Sequence, residues 1–138
     1  MWQTYALLSA LFAALTAIFA KIGVKDIDSN LATAIRTLVI LFITWGIALA
    51  TVELKQIREI SSHTLLFLVL SGLATGASWL FYFKALQVGD ASKVAPVDKL
   101  SIVLTMLLSF IILGEAASLK TILGGLLIAA GSLVLVLS

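Results

Sequence analysis

The chain has 138 residues, of which 62% are hydrophobic and 12% charged, and its formal net charge is +2. Soluble domains are about 45–50% apolar and about 25% charged, so this composition excludes a water-facing surface over a domain of this size. The basic residues are scattered singly, which does not favour nucleic-acid binding. The absence of cysteine excludes disulfide bonds and cysteine-ligated metal sites.

Five long apolar runs predict five transmembrane helices, because lipid cannot satisfy exposed backbone groups. Asp28, Ser61 or Ser62, and Ser118 precede three of the runs and are good helix N-caps. Pro96 is predicted near the first turn of the fourth span, where proline is tolerated. The fold class is an all-α membrane protein, with a single domain over 1–138 whose predicted spans are 2–20, 31–52, 64–86, 93–114 and 119–137.

Polar side chains recur every three or four residues on the first four predicted spans, so they share one face of each helix. Since polar groups avoid lipid, these four helices are predicted to form a bundle around a central cavity. For any single hydroxyl, a hydrogen bond to its own helix is the alternative interpretation. The fifth span has a smooth face that predicts packing or dimerisation. The predicted packing and dimerisation residues are Gly72, Gly76, Gly124, Gly125, Ala129 and Ser132.

Charged side chains inside a membrane are costly, and Arg36, Asp98 and Lys99 all fall within predicted spans. Asp98 could be neutralised by a base in one conformation and exposed in another, or a carboxylate-bearing substrate could take its place. The alternative is a permanent Asp98–Arg36 ion pair that locks two helices, while Lys84 could simply snorkel to the interface. The candidate substrate- or ion-binding residues are Asp98, Arg36, Lys99, Trp79, Tyr82, Ser78, Ser101 and Lys84.

Several short motifs are similar to those of a known family when taken in order. They are Lys21 at the end of the first span, Arg36 early in the second, Tyr82-Phe-Lys84-Ala-Leu ending the third, the run from Gly89 to Leu100, and Leu113-Gly-Glu115 followed by glycines. Over essentially its whole length the chain resembles the EamA-type branch of the drug/metabolite transporter superfamily. The chain departs from the pattern after Ser101, where the family commonly has proline.

The resemblance implies transport of a small solute across the cell membrane by a multi-pass protein that needs no cofactor. Many members have ten spans, built from two five-helix units of opposite orientation. A chain with one unit is therefore expected to act as an antiparallel homodimer by alternating access. The first span lacks the glutamate that the related small multidrug resistance proteins carry, which weakens a reading as a proton-coupled drug exporter.

The distribution of basic residues predicts how the chain inserts, because Lys and Arg near span ends set orientation. The N-terminal side would hold three of them and the opposite side four, which is nearly balanced and favours insertion in both orientations. Counting Arg36 and Lys99 gives three against six and favours an outside N-terminus, so a parallel dimer is the rival. The residues counted are Lys55, Arg58 and Lys120 against Lys21, Lys25, Lys84 and Lys93.

Two other functional classes are alternatives to transport. One is a membrane assembly or accessory subunit that uses GxxxG-type surfaces such as Gly72-Leu-Ala-Thr-Gly76. The other is an intramembrane enzyme, which the sequence disfavours because it has no H-E-x-x-H, no G-x-S-x-G and no nucleophilic cysteine. We therefore expect no catalytic residue and no metal ligand. The expected partners are a small-molecule substrate, the lipid bilayer and a second copy of the chain.

Overall fold

The computed structural model describes all 138 residues, except for the side chain of Leu54. Within that description the chain is helical and has no strand. The helices are α1 (Trp2–Gly23), α2 (Ser29–Thr51), α3 (Leu54–Arg58), α4 (Ser62–Val88), α5 (Ala91–Asp98), α6 (Leu100–Leu108), a π-helical turn (Ser109–Leu113) and α7 (Leu119–Val136). Among the described residues, five stretches are long and apolar enough to cross a membrane: α1, α2, α4, Ala91–Leu113 and α7. The predicted fold class is confirmed, while the organisation as one domain stays a prediction.

Side-chain caps explain where three of the spanning helices begin. The Asp28 carboxylate accepts hydrogen bonds from the backbone N–H groups of Asn30 at 2.8 Å and Leu31 at 3.3 Å. The Ser61 and Ser118 hydroxyls each accept one from the third residue onward, both at 3.1 Å. These caps satisfy N–H groups that have no partner within the helix, and they confirm Asp28, Ser61 and Ser118 as caps.

The fourth span differs from its prediction because it is interrupted. It begins at Ala91 rather than Lys93, so Pro96 is the sixth residue of α5 and does not lie in the first turn. Proline lacks an N–H group and its ring clashes with the carbonyl four residues earlier, which weakens a helix interior. Shortly after it, Lys99 separates α5 from α6, and its N–H donates to the Pro96 carbonyl three residues back at 3.0 Å.

The same span ends in a second irregularity. The turn over Ser109–Leu113 is π-helical, and the N–H of Gly114 donates to the carbonyl of Ser109, five residues earlier. Gly114 has a φ of 67°, a left-handed conformation that glycine adopts without steric cost. The predicted single helix is therefore two α-helices and a π-helical turn.

The chain divides into two compact units, one of residues 18–87 and one of residues 1–17 with 88–138. In the 18–87 unit, the core lies where α1 ends, α2 begins and α4 ends, with Val24 and Leu86 fully buried. Two polar side chains tie this end together. The Lys21 Nζ donates to the Leu86 carbonyl at 2.7 Å, and the Gln87 Nε2 donates to the Ile27 carbonyl at 2.8 Å.

In the other unit, α5 and α6 pack against α7. Gly125 of α7 is buried so closely against Met106 of α6 that a Cβ atom there would lie 2.7 Å from the methionine Cε. About two turns further on, the buried Ser132 hydroxyl donates to the Pro96 carbonyl at 2.9 Å. A glycine and a serine thus allow α7 to lie directly against the interrupted span.

Most large apolar side chains remain exposed along the spanning helices, as Leu127 at 75% and Phe81 at 78% illustrate. Water would make such a surface strongly unfavourable, since monomeric soluble proteins rarely expose apolar patches larger than about a few hundred Å². Lipid tails solvate it well. The surface is therefore that of a protein embedded in a bilayer.

Candidate functional site

Arg36 is a cation within a span of the 18–87 unit, and two aromatic rings of α4 lie against it. It is the eighth residue of α2, which puts it about 10 Å from the start of that helix at 1.5 Å per residue. Its Cζ lies 4.3 Å from the centroid of the Trp79 ring and 5.2 Å from that of Phe83. These distances are within the range of cation–π attraction.

Phe83 is a contact that the sequence-based prediction missed. Trp79 was predicted as part of an aromatic wall, and a residue four positions later shares its face of the helix. That spacing was the available signal, but Phe83 is 3% exposed and reads equally well as a core residue. It serves both purposes, since it belongs to the buried core and contacts the guanidinium of Arg36.

The polar edge of the Arg36 guanidinium is unpaired in its surroundings. Within 18–87, the described residues give it no ion pair and no hydrogen bond. A guanidinium has five N–H donors in a planar fork, and stacking on a ring leaves that edge free. The neighbouring hydroxyls are engaged, since Thr33 donates to the Ser29 carbonyl at 2.9 Å and Thr37 to the Thr33 carbonyl at 2.8 Å. The polar stripe of α2 is thus largely satisfied by its own helix.

Asp98 and Lys99 form the charged pair of the other unit, and they lie where α5 gives way to α6. The Lys99 Nζ is 3.6 Å from the Asp98 Oδ2, with the two side chains 49% and 37% exposed. Ser101, two residues further on, is exposed, and its carbonyl accepts a hydrogen bond from the Thr105 hydroxyl at 2.8 Å. The interruption places a carboxylate and an ammonium group at a discontinuity of a membrane span. The predicted Asp98–Arg36 ion pair would join the two units and stays a prediction.

The remaining candidates on α4 have different surroundings. Ser78, which directly precedes Trp79 in sequence, is exposed. Tyr82, three residues after Trp79, is half-buried. Lys84 is exposed, and its Nζ donates to the Gln87 Oε1 at 3.2 Å, at the packed end of the unit. Lys84 therefore supports the residue that holds the α1–α2 loop. Its predicted role in binding stays a prediction.

The predicted packing residues divide into two groups. Gly125 and Ser132 are buried within the chain, Gly125 close to Met106 and Ser132 hydrogen-bonded to the Pro96 carbonyl. Among the described residues, nothing beyond the local helix lies within 4 Å of a Cβ atom added at Gly72, Gly76 or Gly124. Ala129 is half-buried on α7. Self-association through any of the six stays a prediction.

Among the described residues, no group of three or more His, Asp or Glu side chains is placed to hold a metal ion. The two places present charged groups, aromatic faces and hydroxyls, and both lie within membrane spans.

The comparisons with known proteins bear on what these groups serve. The model of the EamA-like transporter family matches residues 1–137. A protein of Sinorhizobium sp., named as an uncharacterized transporter in the cobO 3′ region, is 57% identical over 134 residues, which are 97% of this chain and 95% of that protein. No solved structure matches the chain significantly.

These matches confirm the resemblance drawn from the motifs, and they describe a transporter rather than an enzyme. Together with the five apolar helices, they identify a multi-pass protein of the cell membrane. Because the family model spans almost every residue, the chain belongs to the EamA-like transporter family and has a transporter's role.

Proposed function

We propose that the protein is a secondary transporter of a small solute and works as an inverted homodimer by alternating access. The observation that supports this most is the interruption of the fourth span at Asp98 and Lys99. Secondary transporters form their binding sites at discontinuous helices, where backbone groups and charged side chains face a cavity instead of lipid. Two charged side chains on a regular helix facing lipid would be costly, because charged groups in a membrane favour a protein interior or a water-filled cavity.

The half-exposed Asp98–Lys99 ion pair suits a binding site in which Asp98 exchanges its partner during transport. A pair of this exposure is weakly held, because solvent screens the attraction and two long side chains lose freedom on pairing. Asp98 is therefore available to a solute, a coupling ion or another base at little cost. Ser101 adds a hydroxyl group to the proposed site in this unit, and Trp79 and Tyr82 are proposed to contact the solute in the 18–87 unit.

Two features support the inverted dimer: the number of spans in the chain and the position of the core in the 18–87 unit. Ten-span relatives combine two five-helix units, and this chain has one. In the 18–87 unit the core is confined to one end, and the far ends of α2 and α4 are largely exposed. A second copy in the opposite orientation would cover part of that surface and supply the other half of a cavity.

Uptake by the purified chain tests the proposal. Liposomes containing the protein would be incubated with an extract of labelled small metabolites, and the solutes retained inside would be identified by mass spectrometry. We expect saturable accumulation of one class of solute relative to protein-free liposomes. If the protein accumulates nothing at any solute gradient, it is not a transporter alone, and the accessory-subunit alternative takes precedence. The open Gly72–Gly76 face of α4 is the feature that favours that alternative.

A further inference from the structure

We infer that Arg36 binds the carboxylate group of a singly charged organic solute, with Trp79 holding the guanidinium in place. The inference rests on the proposed transport function and names the class of its substrate. It follows from the geometry of one cation in the 18–87 unit.

The first step is the cost of the unpaired charge. A cation within a span is unfavourable unless an anion or a polar cavity compensates it. Aromatic contact supplies about 0.5–2 kcal/mol of that compensation. Within 18–87, no described carboxylate pairs with Arg36, and the interactions recorded there are the contacts with the Trp79 and Phe83 rings and an electrostatic interaction with Tyr82. The site is therefore stabilised by an anion that arrives from outside it.

The second step is orientation. Trp79 and Phe83 are one turn apart on α4, and both rings lie within 5.2 Å of the Arg36 Cζ. Holding the guanidinium against these rings restricts its rotation and presents its N–H edge. Carboxylates accept two parallel hydrogen bonds from such an edge. A lysine at this position would supply the charge without the fork.

The third step is charge matching. One guanidinium carries one positive charge, and a carboxylate carries one negative charge, so the complex is neutral within the span. A phosphate monoester carries a charge of about −1.5 to −2 at neutral pH and would leave an uncompensated negative charge in a medium of low polarity. A singly charged oxyanion is therefore favoured, and it has two sources, a free carboxylate or a lipid phosphodiester.

Trp79 also provides the measurement, because the chain has three tryptophans. The variant W2F/W45F keeps Trp79 as the sole tryptophan, and both replaced residues are exposed on spanning helices. In the full-length protein reconstituted in phosphatidylcholine nanodiscs, Trp79 fluorescence would be titrated with acetate, cyclohexanecarboxylate and benzoate. Acetamide, cyclohexanecarboxamide and benzamide serve as neutral matches, and phenyl phosphate as the doubly charged one.

We expect a saturable response to at least one carboxylate and none to its amide. Arg36→Gln should weaken the response at least tenfold, and Arg36→Lys should weaken it less. Arg58→Gln is the matched control, since Arg58 is exposed on α3 outside the predicted spans, and it should bind like the parent. If Arg36→Gln does not fold, the Lys variant and the amide comparison decide.

Four results would overturn the inference: no saturable carboxylate response, equal response to the amide, unchanged binding in both Arg36 variants, or tighter binding of phenyl phosphate. A response that phosphatidylglycerol in the nanodisc abolishes competitively would assign the site to a lipid headgroup instead. The uptake assay separates this failure from that of the proposed function. Uptake without carboxylate binding rejects only the inference, and carboxylate binding without uptake of any solute rejects transport.

Discussion

Arg36 and Asp98 are charges of opposite sign inside membrane spans, and their neighbours differ. Arg36 contacts two aromatic rings, whereas Asp98 has a lysine as its next residue in sequence and its partner in an ion pair. Composition and span positions were enough to single out both residues as candidates, because charge in lipid is rare. Their partners were not predictable in the same way, since the contact with Phe83 depends on how α2 rotates against α4.

Replacing Asp98 by Asn should impair transport and leave expression and helix content nearly unchanged. The Asp98–Lys99 pair is substantially exposed, so its loss should cost little stability. Uptake in liposomes and circular dichroism would be measured side by side. Glu59→Gln is the matched control, because it removes a carboxylate from the exposed Lys55–Glu59 pair outside the spans and should leave uptake intact.

The locked-pair alternative makes the opposite prediction for the same variant. If Asp98 and Arg36 form a permanent buried ion pair, then Asp98→Asn or Arg36→Leu alone would leave a charge without its partner and destabilise the protein by about 3–5 kcal/mol. A large loss of thermal stability in detergent for both variants, with normal behaviour of Glu59→Gln, would favour the lock.

Among the elements, the contact of α7 with α5 and α6 shows how a small face positions a helix. Gly125 and Ser132 were predicted from spacing as packing or dimerising residues, and both are engaged within the chain. Helix caps were also predictable, because they depend on residues adjacent in sequence. The interruption at Lys99 was not, since the effect of Pro96 depends on its position relative to a helix start that sequence fixes only to a few residues.

Gly125→Leu should lower the thermal stability of the detergent-solubilised protein. A Cβ atom at this position already overlaps the flexible end of the Met106 side chain, and a leucine would have to displace that side chain from the contact between α6 and α7, at a cost of about 1–3 kcal/mol for overpacking. Gly131→Leu is the control, because nothing beyond its local helix lies within 4 Å of an added Cβ there. Equal melting temperatures for the two variants would contradict this packing.

Ser132→Ala should cost about 0.6 kcal/mol, a typical value for a hydrogen bond between membrane helices. Its hydroxyl donates to the Pro96 carbonyl next to the interruption. Thr105→Ser is a control that changes the side chain but keeps a hydroxyl group. Thr105→Ala removes a hydroxyl whose hydrogen bond is to the Ser101 carbonyl of its own helix. In mixed micelles, the free energy of unfolding of Ser132→Ala should be lower than that of either Thr105 variant. The reverse order would argue against the interhelical hydrogen bond.

At the scale of the whole molecule, the number of spans and the family could be predicted, because hydropathy and ordered motifs are properties of the sequence itself. The relative orientation of two copies could not be predicted in the same way, since it depends on a difference of one or two basic residues near the span ends.

Insertion in both orientations should be detectable with two C-terminal reporters, one active only in the cytoplasm and one only outside. We expect signal from both, since the basic residues near span ends are almost balanced. Gln56→Lys and Ser92→Lys add one charge to opposite sides, at exposed positions, and should shift the reporter ratio in opposite directions. Signal from a single compartment, unmoved by either substitution, would support the parallel dimer.

The confinement of the α2 core contacts to Ser29, Ala32 and Thr33 has a mechanical consequence. The helix has 23 residues and is about 34 Å long at 1.5 Å per residue, and its buried residues lie within the first two turns while its other residues are half-buried or exposed. A tilt of about 10° at the packed end displaces the other end by about 6 Å, by the geometry of a rigid rod of that length. A displacement of that size is comparable to the width of a small solute. In the alternating-access cycle proposed above, such a tilt would open a passage at the far end while the packed end keeps its contacts.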